Sequence, residues 1–363
     1  MNPATMLKKH PFYIKATIVL LGLTLLSYAL FNLKDVLVPL AFSSLLAILL
    51  NPLTNRLQQK RVPKVWAIVL SLLVALIVIG GLAYFLSSQM ARFTDQLPLL
   101  KKKFAELLAQ LQQQVNQRFG LNMEKQHEMI SDAQEKMKPL VGQTLGTLAG
   151  TLFMIFLLPV YTFLFLYYKN LLLDFLYEVF APENSKEVGV VLQETKGAIQ
   201  NYMVGLLVEA LIVATLNSVA LLLLGVDYAI LLGVLGAVLN VLPYIGGIVS
   251  TALPVLMAIV TGHGYQTSLG VIAAYLLIQF IDNQFLVPYI VSSRVKINAL
   301  VSIIVVLLGD ALWGVPGMFL SIPFVGVLKL IFDRIPELKP WGKLLGDEVP
   351  VRHKGQKREK KRA

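Results

Sequence analysis

One apolar stretch of the sequence, "LIQFIDNQFLVPYI", contains several polar residues that could do chemistry. Gln279, Asp282 and Asn283 are spaced i, i+3 and i+4, which places them on one face of an α-helix. A charged side chain at the centre of a membrane helix costs about 2.5–3.5 kcal/mol on insertion scales, and such residues often mark ion or proton pathways. The pattern predicts a proton or cation site. The alternative is a buried cap or a hydrogen bond to a neighbouring helix.

Four further polar residues lie within or beside other apolar stretches. Asp310 is in "LLGDALWG", and Glu209, Asn217 and Asn240 complete the set. Together with the first cluster they form a candidate substrate or ion pathway. Asn217 and Asn240 could equally join helices by hydrogen bonds, and Glu209 could lie near the membrane interface.

Metal and thiol chemistry have no support in the sequence. The chain has no cysteine and only four histidines, which fall in loops or tails. None of the histidines is paired at a spacing typical of metal ligands. We therefore expect no metal and no cofactor.

The composition indicates the elements that must position these residues. Hydrophobic residues make up 56% of the chain and charged residues 15%, whereas soluble domains have about 45–50% and about 25%. Several windows reach the roughly 20 apolar residues of a membrane-spanning helix. The sequence predicts an all-α polytopic membrane protein with apolar blocks at 12–31, 36–53, 65–87, 145–168, 204–224, 229–261, 266–287 and 299–331.

Positive charge predicts the topology of these blocks. The net charge of +11 is concentrated in short segments beside apolar blocks and in the tail "VRHKGQKREKKRA". Lys and Arg in short loops favour the cytoplasmic side, so both termini are expected on the cytoplasmic side of the membrane. This distribution argues against nucleic acid as a partner.

Two blocks, 229–261 and 299–331, are too long for one crossing and are broken at their centres. Each would extend about 50 Å as a straight helix, against a hydrocarbon core of about 30 Å. The charge pattern requires each block to begin and end on one side of the membrane. We expect about six full spans plus two broken helical hairpins, or eight or more spans. The predicted tip residues are Pro243, Gly246 and Gly247 in the first hairpin and Gly314, Pro316 and Gly317 in the second.

The chain divides into four predicted regions. Residues 1–87 hold three N-terminal membrane helices, and 88–144 form a small amphipathic helical insertion outside the membrane. Residues 145–335 form the transport core with both hairpins, and 336–363 form a basic cytoplasmic tail. Two interrupted elements in corresponding places point to the binding site of a secondary transporter. The alternative is that Pro and Gly only kink tightly packed helices.

Two stretches resemble one family of bacterial membrane proteins. They are "NVLPYIGGIVSTALP" and "DNQFLVPYIVSSRVKINALVSIIVVLLGDALWGVPGMFLSIP", and they resemble the autoinducer-2 exporter (AI-2E) family. The resemblance implies an oligomeric permease, with some members assigned to signal-molecule export and others to sodium or lithium/proton exchange. The family often has a His-Pro pair where this chain has Asn298 and Ala299.

The leading hypothesis is a secondary transporter for a small polar solute or signal molecule, coupled to protons or sodium. A monovalent cation/proton antiporter and a channel or structural membrane oligomer are the alternatives. The expected partners are a small-molecule or ion substrate, the lipid bilayer and further copies of the chain. An enzyme is not expected, because an aspartyl protease would need Asp282 and Asp310 paired and their local sequences lack the contexts of such proteases.

Overall fold

The computed structural model describes residues 11–119, 148–180, 185–241, 246–261, 264–291, 297–336 and 338–347. Almost all of these residues are helical. The helices are α1 (Phe12–Asn32), α2 (Lys34–Gln59), α3 (Lys64–Phe119), α4 (Leu148–Tyr167), α5 (Lys169–Phe180), α6 (Ser185–Leu223), α7 (Ala229–Asn240), α8 (Gly246–Val260), α9 (Gly264–Ile281), α10 (Ala299–Trp313), α11 (Val315–Arg334) and α12 (Lys339–Leu345). A π-helical segment, Asp282–Val291, continues directly from α9.

The prediction of an all-α polytopic membrane protein is confirmed. In the described ranges, five helices are long and apolar enough to cross a membrane, and a sixth crossing results if the bent pair α4–α5 counts as one span. Shorter apolar helices include α7 and α10, which belong to the two broken blocks. Large apolar side chains are exposed along most of these helices, as expected for surfaces that contact lipid.

Helix α3 continues far beyond the predicted third span. It has 56 residues, which corresponds to about 84 Å at 1.5 Å per residue, and its apolar part covers Lys64–Ala91. The helix passes the predicted boundary at residue 88 without a break, because the apolar pattern and the following amphipathic pattern are both helical. The rest of the predicted insertion, residues 120–144, lies outside the described residues, as does most of the basic tail.

The first broken block consists of α7 and α8, packed against each other and against α6 and α9. Helix α7 approaches α6 closely at Gly233, where an added Cβ would lie 2.6 Å from the backbone nitrogen of Ser218. Small residues permit such close helix contacts in membranes. The predicted tip residue Pro243 lies outside the described residues, and Gly246 and Gly247 begin α8.

The second broken block consists of α10 and α11, joined by the single residue Gly314. Its φ of 65° lies in the left-handed region that glycine adopts at little cost. Beyond this turn the main chains of the two helices are in contact. A Cβ added to Gly309 would collide with the main chain of Gly317, and a Cβ added to Gly317 would collide with that of Gly309. Helix α10 packs on α1 and α2, and Trp313 Nε1 donates a hydrogen bond to Leu30 O at 2.9 Å.

The loop position where the family often has His-Pro has a structural role in this chain. The Asn298 side chain accepts a hydrogen bond from Val301 N at 2.9 Å and caps α10. Its amide nitrogen donates to Leu344 O and Gly346 O, at 2.7 and 3.0 Å. Asn298 therefore connects the start of the second hairpin to α12.

Candidate functional site

Two carboxyl groups meet inside the apolar helices. Glu209 lies on α6 and Asp282 at the start of the π-helical segment, and their side chains are within hydrogen-bonding reach of each other. Both are buried, with Glu209 6% and Asp282 2% exposed. Two carboxyl groups can hydrogen bond to each other only when one of them is protonated, because two like charges at this distance cannot both remain ionised. Such a pair is stable when it shares one proton.

The first hairpin reaches this pair through the end of α7. Asn240 Nδ2 donates a hydrogen bond to Asp282 Oδ2 at 2.8 Å. The close approach of α7 to α6 at Gly233 and Gly236 brings the last residue of α7 to this position. The first hairpin is thus in direct contact with the carboxyl pair through Asn240.

A small cavity adjoins Asp282. Its volume is about 10 Å³, and it is lined by Val213, Asn217, Asn240, Ser250, Tyr275, Ile278, Gln279 and Asp282. This is about the volume that one water molecule requires. Three buried oxygens of its lining residues have no hydrogen-bond partner within the described part of the chain: Asn217 Oδ1, Tyr275 Oη and Asp282 Oδ1. The cavity can hold a water molecule or a small cation, and its lining is rich in oxygen atoms.

The structure brings most of the predicted pathway residues together. Glu209, Asn217, Asn240, Gln279 and Asp282 come from three separate parts of the chain and surround the carboxyl pair and the cavity. The hairpin residue Gly247 also approaches them, because a Cβ at this position would lie 2.9 Å from Gln279 Oε1.

Asn283 and Asp310 are not part of this group. Asn283 is exposed; adjacent residues of a helix point about 100° apart, so burial of Asp282 does not require burial of Asn283. Asp310 is exposed on α10, which packs on α1, α2 and α11, whereas the π-helical segment packs on α6 and α9. The second hairpin, with Gly314, Pro316 and Gly317, therefore does not border the cavity, and Asp282 is paired with Glu209 rather than Asp310.

Three residues near the site were missed by the sequence interpretation. Tyr275 and Ser250 line the cavity, and the buried Tyr202 lies close enough to Glu209 to interact electrostatically. A signal for two of them exists in the sequence: Tyr275 precedes Asp282 by seven residues and Tyr202 precedes Glu209 by seven. That spacing places each tyrosine two turns away on the face of its carboxylate.

An all-helical polytopic chain with a carboxyl pair buried among its spans is compatible with a membrane transport protein. The AI-2E family transporter profile matches residues 16–337, which is most of the chain. The protein therefore belongs to the AI-2E transporter family, and the predicted resemblance is confirmed.

Individual relatives agree with this assignment. The chain is 26% identical over 326 residues to a candidate transport protein of Haemophilus influenzae, covering 86% of this chain and 90% of the relative. It is 24% identical over 305 residues to the AI-2 transport protein TqsA of Escherichia coli, covering 83% and 86%. It is 23% identical over 308 residues to the candidate transport protein YrrI of Bacillus subtilis, covering 82% and 86%.

Proposed function

We propose that the protein is a proton-coupled secondary transporter in which Glu209 and Asp282 carry the coupling proton. The observation that supports this proposal is the contact between the two carboxyl groups within the apolar helices. A buried carboxyl pair that served only to join helices would be a costly substitute for an amide pair, since ionised groups are expensive inside a membrane. A proton carrier, in contrast, needs groups that can exist in both charge states.

Loss of the proton provides a physical route to conformational change. With one proton, the pair is joined by a hydrogen bond. Without it, two carboxylates repel each other, and the repulsion is strong where the dielectric constant is low. Asn240 at the end of α7 is bound to the same carboxyl group, so the repulsion bears directly on the first hairpin. Movement of that hairpin would open and close access to the site, as in other transporters with broken helices.

The solute is proposed to be a small polar molecule or signal molecule. The relative TqsA is named an AI-2 transport protein, and AI-2 is therefore a reasonable first substrate to test. The cavity of about 10 Å³ is too small for an organic solute, so such a solute would bind only after the hairpin moves away from α9.

A second candidate is monovalent cation/proton exchange, and the size of the cavity favours it. A space for one water, bordered by amide, hydroxyl and carboxyl oxygens, has the oxygen donors that an alkali cation takes as ligands. Competition between a cation and a proton for Asp282 would then give exchange directly. A channel would differ from both carriers, because its flux would not saturate.

We further propose that the transporter is oligomeric and lies in the bacterial cytoplasmic membrane with both termini inside. The family resemblance supports the oligomer. The basic segments beside α1, between α2 and α3, and after α11 support the orientation.

The experiment is proton flux in proteoliposomes that carry a pH-sensitive dye. Gradients of Na⁺, Li⁺ and K⁺, or addition of AI-2, should each be tested for proton movement. A coupled substrate should give saturable flux, and Asp282→Asn should lower that flux at least about a hundredfold because the proton carrier is removed. The exposed Asp310→Asn is the matched control and should change flux less than twofold.

Coupled flux in Asp282→Asn at the wild-type rate would refute the assignment of Asp282. Ohmic current without saturation would support a channel instead. If a substrate gradient drives solute movement without proton movement, the transporter assignment stands and the proposal of proton coupling is refuted.

A further inference from the structure

Three lysines from three helices lie near one another at the end of the bundle where α2 ends and α3 begins. Lys169, at the start of α5, donates a hydrogen bond from Nζ to Asn51 Oδ1 at 2.9 Å. Lys64 at the start of α3 and Lys196 on α6 lie close enough to act on the Lys169 ammonium group electrostatically. We call these three residues the lysine site. The three lysines are far apart in the sequence, so the fold rather than a local motif brings them together.

The lysine site has no acidic partner in the part of the chain that the structure describes. The two ion pairs found there are Lys329 with Asp333 and Arg334 with Glu194, and neither includes a lysine of the site. Asn51 adds a further donor, because its buried Nδ2 has no acceptor among the described residues. Like charges held together repel, so an anion bound between them would stabilise the arrangement.

The surroundings indicate that the lysine site lies at the level of lipid headgroups. Helix α5 turns away from α4 by 63°. Its apolar side chains Leu171, Phe175 and Val179 recur every four residues and are exposed. A short helix with one exposed apolar face, bent sharply from a span, is typical of a helix lying in the membrane interface.

Aromatic side chains mark the same level. Tyr167 and Tyr168 are exposed at the bend, where Tyr is enriched in membrane proteins. The Lys64 Nζ lies 5.0 Å from the centre of the Tyr167 ring, so the tyrosine and the lysine site are adjacent. Basic pockets between membrane helices on the cytoplasmic side are known places for anionic headgroups, and the charge pattern predicts that this side is cytoplasmic.

We propose that Lys64, Lys169 and Lys196 form a binding site for a phosphate group, with Asn51 holding Lys169 in position. Lysine acts towards phosphate as a point charge, and the three ammonium groups from three helices supply positive charge for a phosphate. Because the site lies beside an interfacial helix, an anionic phospholipid is the source that the surroundings favour. Bound lipid would join the ends of α3, α5 and α6.

The test is thermal unfolding of the purified full chain in detergent with added phosphatidylglycerol, phosphatidylcholine or inorganic phosphate. Phosphatidylglycerol should raise the unfolding midpoint in a saturable way, and zwitterionic phosphatidylcholine should not. Each lysine is expected to contribute about fivefold to the apparent affinity. The triple variant Lys64→Gln/Lys169→Gln/Lys196→Gln should therefore lose the midpoint shift at all accessible lipid concentrations.

Two control variants keep the result interpretable. Lys34→Gln/Lys339→Gln/Lys343→Gln removes the same net charge from exposed lysines elsewhere and should retain affinity within about twofold. If the glutamine triple variant does not fold, Lys169→Gln alone should weaken binding about fivefold, and Lys169→Arg should restore most of it.

The experiments with phospholipid and with inorganic phosphate distinguish a lipid headgroup from a soluble phosphate compound as the ligand. Stabilisation by phosphatidylglycerol but not by inorganic phosphate assigns the site to a lipid headgroup. Saturable stabilisation by inorganic phosphate that the lysine-site variant loses assigns it to a soluble phosphate compound. An equal loss of affinity in the lysine-site and control variants, or no loss in either, would overturn the proposal. Because no transport is measured, the outcome is independent of the proton-coupling proposal.

Discussion

The two broken hairpins have similar sequence signatures and different surroundings. Each has Pro and Gly at the centre of an apolar block. The first hairpin ends beside buried polar groups, where Asn240 binds Asp282 and Gly247 approaches Gln279. The second ends in a Gly314 turn with an exposed Asp310 and packs on α1 through Trp313. A break in an apolar helix can therefore either border a functional site or serve helix packing. The polar residues near the break indicate which of the two applies.

The contacts of two matched glycines predict that position 317 in the second hairpin is more sensitive to added volume than position 247 in the first. In Gly317→Ala the new methyl group would collide with the main chain at Gly309, which cannot move aside as a side chain can. We expect destabilisation of about 3 kcal/mol, the upper end for overpacking, measured as the free energy of unfolding in mixed micelles.

The matched variant in the first hairpin is Gly247→Ala. Its methyl group would meet the end of the flexible Gln279 side chain, so we expect a loss of stability below about 1 kcal/mol. Gly80→Ala, with open space around it, should be neutral or slightly stabilising. Equal losses of stability at positions 317 and 247 would contradict the distinction between a main-chain contact at Gly317 and a side-chain contact at Gly247.

The contact of the first hairpin with the carboxyl pair can be tested at Asn240. In Asn240→Ala, the Asp282 carboxyl group loses the hydrogen bond that Asn240 donates to it. A hydrogen bond to a group that can be charged is worth about 1.5–3 kcal/mol. We expect coupled flux per folded protein to fall at least about tenfold, and the free energy of unfolding to fall by no more than the worth of that bond. Asn283→Ala, on the exposed side of the same segment as Asp282, is the control and should transport normally. If both variants transport alike, the link between hairpin and pair is refuted.

A smaller effect than that of Gly317→Ala is expected at the start of the second hairpin. Asn298→Ala removes the cap of α10 and the hydrogen bonds to Leu344 O and Gly346 O. A lost cap costs about 1 kcal/mol, so the unfolding free energy should fall by about that amount or slightly more. Asn298→Asp keeps the acceptor for Val301 N but loses the donor, and it should recover about half of the loss. Transport should remain near wild type, and a large loss of flux would assign Asn298 a functional role.

The helices and both breaks could be predicted because they depend on local properties. Apolar length determines a span, and Gly or Pro determines where it breaks; Gly314 was predicted as a tip residue and is the turn. The pairing of Glu209 with Asp282 could not be derived, because 73 residues separate them and only the packing of α6 on the π-helical segment brings them together.

Other features of the candidate site depend on geometry that the sequence pattern does not predict. Asp282 and Asn283 were placed on one face by α-helical periodicity, but adjacent helical residues point about 100° apart, and only Asp282 is buried. Asp310 was grouped with the pathway because of its position near a break, but the packing of α10 on α1 and α2 places it elsewhere. Tyr275 was overlooked because a tyrosine in an apolar helix resembles an ordinary packing residue.

The central claim, that Glu209 and Asp282 share one proton, can be measured most directly by infrared spectroscopy of the protein in lipid at pH 7. The C=O stretch of a protonated carboxylic acid should be present in the wild type and in Asp310→Asn. It should be absent from the double variant Glu209→Gln/Asp282→Asn. A wild-type spectrum without this band, or a double variant that retains it unchanged, would contradict the account.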